Sequence, residues 1–187
     1  MKKITLFALV ATLGCTVMFT QSCSKSNNDA PVAPTLYDSL GGTVMVTDPA
    51  NTSVKIEAGR LLIRNIIDST IFVIAADSKI NGFFKVLLAE VTAGNTSGFA
   101  ALSKSLTDFV CVGTGAKNFT YGGKSMAAAH DPAQNSRMNG KAANADMDQF
   151  EVDLVAGAKK AGVPSTNAAL GSVARIVESL RSAVVQK

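Results

Sequence analysis

The chain has 187 residues, 18 Lys or Arg against 14 Asp or Glu, a formal charge of +4, and 47% hydrophobic residues. That is enough apolar material for one core of ordinary domain size. The charge is not a nucleic-acid footprint: residues 1–22 hold Lys2, Lys3 and no acid, the remainder carries +2, and no basic and aromatic pattern for phosphates or bases follows.

Met1 to Ser22 reads as an export signal. Lys2 and Lys3 precede an apolar run, Ile4–Thr20, that is short for a spanning helix of roughly 20 residues. Ser22-Cys23 and a polar stretch follow, and the pattern resembles lipoprotein signals of the Bacteroidetes type, in which the cysteine after the cut carries lipid. Cys23 is the expected acceptor; Cys15, after Leu13-Gly14, is the rival, and an uncleaved N-terminal anchor is the plainer reading. On any of these the remainder is exported and held at the cell envelope. Ser24 to Pro34 is a linker, stiffened by Pro31 and Pro34. Its extended reach is about 35 Å, at just over ~3 Å per residue.

Residues 35–187 form the expected domain. Thr35 caps a short helix through Leu36, Tyr37 and Leu40, closed by Gly41-Gly42. Thr43 to Ala58 has no helical period and contains the turn signal Asp48-Pro49-Ala50-Asn51, so it is assigned to a surface loop. Arg60 to Ala76 is the most apolar stretch of the domain. Its β-branched content favours a strand, and its length without a turn favours a helix. Asp77-Ser78 turns the chain toward Phe83-Phe84, and Lys85 to Gly98 reads as an insertion around the turn Gly94–Gly98. Phe99, Leu102, Leu106, Phe109 and Val110 then recur at helical spacing, predicting a helix over 99–112 with an apolar stripe. Cys111 is the one cysteine of the domain, so no disulfide forms within it, and its apolar neighbours predict a buried, inert thiol.

Gly113-Thr114-Gly115-Ala116-Lys117 lacks the spacing of a phosphate loop and reads as a flexible link. It leads to Tyr121-Gly122-Gly123-Lys124-Ser125-Met126-Ala127-Ala128-Ala129-His130. His130 is the single histidine of the chain. Met126 lies four residues before it, on the same helical face, and Asp131-Pro132 predicts that the helix stops at the histidine. Ala133 to Ala145 reads as loop. Helices are predicted over 147–161, capped by Asp146 and stopped by Gly162 and Pro164, and over 166–186, with Leu170, Val173, Val177, Leu180 and Val184 inward and Arg175, Glu178, Arg181 and Lys187 toward water.

Four motifs in this order carry a family resemblance: Leu36-Tyr37-x-x-Leu40-Gly41-Gly42, Phe83-Phe84, Tyr121-x-Gly123-x-x-Met126-x-x-Ala129-His130 and Gly162-Val163-Pro164. Together they resemble group I truncated haemoglobins. The resemblance implies an all-α, two-over-two helical sandwich, here with loop insertions at 43–58 and 85–98. It implies that Arg60–Ala76 is a buried helix and that His130 is the proximal ligand of a haem b iron. It also implies that Phe84 packs on the ring, beside Met126 and Tyr121, and that the 99–112 helix is distal. From that helix Phe99, Leu102 and Leu106 are the inward candidates, with Ser103 and Thr107 the nearby polar residues. Lys117 and Lys124 are candidates to pair with the propionates, against the commoner solvated lysine.

One departure stands out. The family commonly places a tyrosine about a dozen residues before the second phenylalanine, and that count lands on Ile71, which has no donor. A lost hydrogen bond to a partly charged ligand is worth about 1.5–3 kcal/mol, one to two decades of affinity.

The implied function is binding of dioxygen, or of nitric oxide or carbon monoxide, at an iron that has one histidine ligand. With a single histidine, bis-histidine coordination and a histidine-assisted triad are excluded, and no zinc-site spacing occurs. Nitric oxide oxidation, which some of the family perform, would need an outside reductant, because the chain has no flavin or nicotinamide motif. The alternative is a haem-free lipoprotein that keeps the globin-like shell for interaction or sensing.

Overall fold

A computed structural model describes residues 32–187. The expected signal, Cys15, Cys23 and most of the linker lie outside the described residues. Ala33–Lys187 forms one compact unit.

Helix α1, Leu36–Ser39, opens with a capping box: the Thr35 hydroxyl accepts from Asp38 N, and the Asp38 carboxylate accepts from Thr35 N at 2.7 Å. The double glycine then turns the chain with positive φ at both residues, 116° and 57°. Close approach is the other reason for glycine here. A Cβ on Gly59, across the turn, would meet the Tyr37 ring at 2.9 Å and Gly42 N at 3.0 Å.

The expected surface loop at 43–58 is instead a β-hairpin. Strands β1, Met45–Asp48, and β2, Asn51–Glu57, pair antiparallel, with Val46 opposite Ile56 and Thr47 opposite Lys55. Val44, Val46, Thr52 and Val54 supply the β-branched residues that favour a pleated surface. Residue 57 passes directly into helix α2, Ala58–Ala76. Length won over β-propensity in that stretch: Ile63, Ile66, Ile67, Ile71 and Ile74 are buried along its inner faces.

A 3-10 turn over Asn81–Phe84 leads into helix α3, Lys85–Thr92, so the 85–98 segment is mostly helical and not a plain loop. Helix α4, Ser97–Gly113, matches the helix predicted over 99–112 but not its buried face. Its deepest positions are Ser103, Thr107, Asp108 and Cys111, and the apolar stripe of Phe99, Leu102, Leu106 and Val110 is only half-buried. Small side chains let α4 pack on α2, while polar links (Ser103 to Asp68, Arg60 to Asp108) tie the two together. Cys111 is fully buried, and burial pushes its thiol up to about 11, as an inert thiol requires.

Helix α5, Met126–His130, is followed by α6, Asn144–Lys160, α7, Ala168–Glu178, and α8, Arg181–Val184. The predicted 166–186 helix is therefore broken at Ser179-Leu180. There the Ser179 hydroxyl bonds the Ile176 carbonyl at 2.6 Å and Leu180 N turns back to Val177 O, so local bonds compete with the helical ladder. Arg181, expected in water, is three-quarters buried and clamps Glu178, Asp148 and the Asn144 carbonyl.

The domain is all-α apart from the hairpin. Helix α2 is central, packed on α4 on one side and on α6 on the other, while α6 carries α7 and α8, and α5 rests on α8. One crossing is very tight: a Cβ on Gly157 of α6 would overlap the Thr70 hydroxyl and sit 2.6 Å from Thr70 Cα.

Candidate functional site

The connector from α4 to α5 is held by aromatic contacts. Phe119 sits edge-on to Tyr37 at 6.3 Å, with the Arg60 guanidinium 4.5 Å from its ring centre. Tyr121 lies edge-on to Phe109 of α4 at 5.2 Å, and its hydroxyl donates to the Lys124 carbonyl at 2.7 Å. Its ring covers Gly123, where a Cβ would overlap it. Thus the Tyr-x-Gly spacing is a folded-over turn that fixes the approach to α5.

A helix of five residues leaves most of its carbonyls without intrahelical partners. In α5 side chains supply them. Asn135 Nδ2 donates to Ala129 O at 2.7 Å, Gln186 Nε2 to Ala127 O at 2.8 Å, and His130 Nδ1 to Met126 O at 2.8 Å. The Ser125 hydroxyl caps the other end by accepting from Ala128 N. Asp131 is extended, with ψ 115°, as the following proline requires. Hydrogen bonds from Gln134 and from Ala133 N hold the Asp131 carboxyl below its ordinary value.

The His130 contact fixes the imidazole. A carbonyl can only accept, so Nδ1 carries a proton, and in the neutral ring Nε2 is the nitrogen with the lone pair. His130 is half-buried, and among the described residues its ring bonds through Nδ1 alone. A backbone carbonyl on the far nitrogen is the arrangement by which proteins orient a metal-binding imidazole.

Two apolar clusters flank the Phe83-Phe84 pair. Phe84 joins Ile71 and Leu87, with Phe99, Leu102 and Leu106 packed against the same group. Phe83 joins Met126 against Ala142, Met147 and Val184. Ile71, Phe84, Phe99, Leu102 and Leu106 thus all belong to one large apolar cluster, which also holds Tyr37, Ile63, Cys111 and Val173, while Met126, the first residue of α5, belongs to the second. Tyr121 stands apart on Phe109. Lys117 and Lys124 are exposed.

The segment after His130 is strapped to the segment carrying Phe84. Asn139 N donates to Phe83 O at 3.1 Å and Asn139 Nδ2 to Gly82 O at 2.9 Å. Arg137 grips Glu90, at the end of α3, with both nitrogens, at 2.8 and 2.6 Å. The arginine holds the Glu90 carboxyl below its usual range. Sequence reasoning missed Leu87, Glu90, Arg137, Asn139 and Gln186. Of these only Leu87 left a trace, as an apolar position in a run that reads as helix once the insertion is not presumed to be a loop.

The sequence matches no protein-family model and no curated relative. Among solved structures the chain is similar to truncated haemoglobin from Tetrahymena pyriformis, in two single-residue variants, both in the Fe(III) form. Each match has 23% identity and a TM-score of 0.57, and covers 82% of this chain and 100% of the other. The chain has the fold of the truncated haemoglobins.

Proposed function

We propose that the domain binds one haem through Nε2 of His130 and takes a small diatomic gas on the opposite face of the iron. The observation that carries the reading is the 2.8 Å bond from His130 Nδ1 to the Met126 carbonyl, which leaves the other nitrogen as a ligand. Among the described residues no group of three or more His, Cys, Asp or Glu is placed to hold a bare ion. A lone imidazole suits an iron whose equatorial positions are filled by a macrocycle. The half-buried apolar side chains around Phe84 and along α4 suit a flat, greasy ring. No Cys-x-x-Cys precedes His130, so nothing there supports the thioether attachment of c-type haem, in keeping with a haem b held without covalent links. The Fe(III) neighbours support the same reading.

Haem would supply the reversible binding of gas at iron. The chain's residues do the rest. Met126 O orients the imidazole, Asn135 and Gln186 hold the helix that carries it, and the apolar Ile71, Leu102 and Leu106 would help keep water from a bound ring. Residues 1–34 extend the reading to location: export, a lipid on Cys23 and a linker that keeps the domain clear of the membrane, supported by the sequence pattern. The test is a haemin titration of the purified protein. One equivalent taken up, with the spectrum of a single-histidine iron, is expected; His130→Ala should abolish tight uptake while far-UV circular dichroism stays unchanged. Equal uptake and an identical spectrum in His130→Ala would overturn the assignment.

A further inference from the structure

The hairpin and the start of α2 border a cleft of about 370 Å³ that shares no residue with the groups assigned to haem above. Clefts of this size are common for small ligands. Strand β2 runs straight into α2, and both strands of the hairpin contact that helix. Arg60 and Arg64 stand one turn apart on α2 and both line the cleft, with Phe119 of the connector beside Arg60. Ile56 is buried in the wall, while Met45 and Val54 remain 56% and 47% exposed at the rim.

The polar groups of the cleft differ in how far they are satisfied. Asp48 accepts from Arg64 Nη1 and Nη2, at 2.9 and 2.6 Å, and from Ala50 N. Glu57 accepts from the Tyr37 hydroxyl on one oxygen and from Asn118 Nδ2 on the other, each at 2.7 Å. Both carboxylates therefore have every oxygen engaged, and the surplus lies with the donors. Arg60 meets Asp108 at 2.7 Å and the Cys111 sulfur at 4.0 Å, both through Nη1, and Asp108 is shared with Lys104 at 2.6 Å. Among the described residues Arg60 Nε and Nη2 have no hydrogen-bond partner, and neither is sealed from solvent. Lys55 Nζ donates to the Thr47 hydroxyl at 2.8 Å and, among the described residues, to no carboxylate. The lining thus sets three cations, Lys55, Arg60 and Arg64, against two carboxylates, and two of those cations hold spare donors beside apolar walls.

We propose that this cleft binds a small monocarboxylate with a compact apolar body. The free Nε–Nη2 edge of a guanidinium carries two parallel N–H donors, which match the two oxygens of a carboxylate. Lys55 adds positive charge, and Phe119, Ile56, Val54 and Met45 cover the apolar body. A phosphate brings a third oxygen and a second charge that the spare donors do not serve, and it leaves the apolar walls uncovered. The site stands independently of the haem reading.

The test is equilibrium dialysis of the purified full chain against radiolabelled phenylacetate. One equivalent should bind per chain, with a Kd below about 1 mM. 2-Phenylethanol, neutral and of similar shape, should compete at least ~10-fold less well. Arg60→Gln should weaken binding about 10- to 100-fold. Because that change also takes a partner from Asp108, the half-exposed Val54 supplies a second pair of variants. Val54→Glu should weaken binding and Val54→Lys tighten it, each about two- to fivefold, a reversal of sign that a merely structural role would not produce. His130→Ala should leave binding unchanged. Absence of saturable binding, equal competition by 2-phenylethanol, or Val54 variants that shift affinity in the same direction would overturn the proposal. So would binding lost in His130→Ala, which would put the carboxylate at a haem iron. Binding that emerges only when residues 24–34 are replaced by a Gly/Ser sequence would make the chain's own linker the occupant, and would overturn it too.

Discussion

Gly157→Ala tests the helix crossing on which the domain is built. A Cβ there would overlap the Thr70 hydroxyl and stand 2.6 Å from Thr70 Cα and 2.7 Å from Thr70 N. The hydroxyl can rotate only by giving up its 2.8 Å bond to Ile66 O, and the backbone atoms behind it cannot yield. Ordinary carbon contacts begin near 3.5 Å, so α2 and α6 would have to part by about 1 Å. Overpacking of this kind costs about 1–3 kcal/mol. Alanine returns about 0.5–1 kcal/mol in helix propensity, so the net loss is up to about 2.5 kcal/mol, and toward the upper end because the atoms struck are backbone. For a domain of this size the melting temperature should fall by up to about 10 °C. Gly122→Ala is the control, since nothing lies within 4 Å of its Cβ and its φ is not positive; it should stay within about 0.5 kcal/mol. The assay is urea and thermal unfolding followed by circular dichroism. A Gly157→Ala protein as stable as the wild type would show that the crossing is looser than described, and the reasoning would fail.

Arg137→Ala removes the ion pair to Glu90 that straps the post-histidine loop to α3. The pair is partly exposed, so the cost to stability is about 0.2–1 kcal/mol. Transfer of haem to a scavenger should nevertheless speed up by about two- to fivefold, by the same free energy applied to local opening. An unchanged transfer rate would remove the strap from the account. Hydrogen bonds from Arg64, then from Ala50 N, pull the Asp48 carboxyl down to about 2. The unfolded state binds that proton first, near the ordinary value of about 3.9. This contribution is therefore complete above that value and disappears as pH falls toward 2. Asp48→Asn should flatten the acid limb of stability between about pH 5 and 2, and parallel limbs in the two proteins would contradict the pairing. Cys23→Ala should release the protein from the detergent phase and abolish labelling with a radioactive fatty acid; persistent labelling would move the lipid to Cys15.

Long periodic stretches were legible in the sequence. The 147–161 helix read correctly because its apolar positions recur at helical spacing, and Arg60–Ala76 because its length and the family resemblance outweighed its β-branched content. The cap at Thr35, the double glycine and the stop before Pro132 were legible too, since each rests on local backbone chemistry. The hairpin at 45–57 was not, although its turn was, because short strands with exposed side chains show no clear alternation. The buried face of α4 misled for a different reason. Periodicity ranks faces by hydrophobicity, yet Ser103, Thr107 and Cys111 pack deepest because small side chains let α2 approach. The larger side chains of Phe99, Leu102 and Leu106 are left half-buried beside them. Within the site, His130 and Met126 were placed on a helix of the expected kind. The bond from the imidazole to the Met126 carbonyl involves a backbone group, which no side-chain pattern encodes. Arg137, Asn139 and Gln186 act through contacts 47 to 59 residues apart in the chain, which no local pattern encodes.

The most direct measurement is resonance Raman spectroscopy of the reduced, haem-loaded protein without gas, in wild type and in His130→Gly with and without added imidazole. The account predicts an iron–histidine stretching band in the wild type, its loss in His130→Gly and its return, at shifted frequency, when imidazole fills the space. A band that persists unchanged in His130→Gly, or a wild-type protein that takes up no haem under any of these conditions, would contradict it.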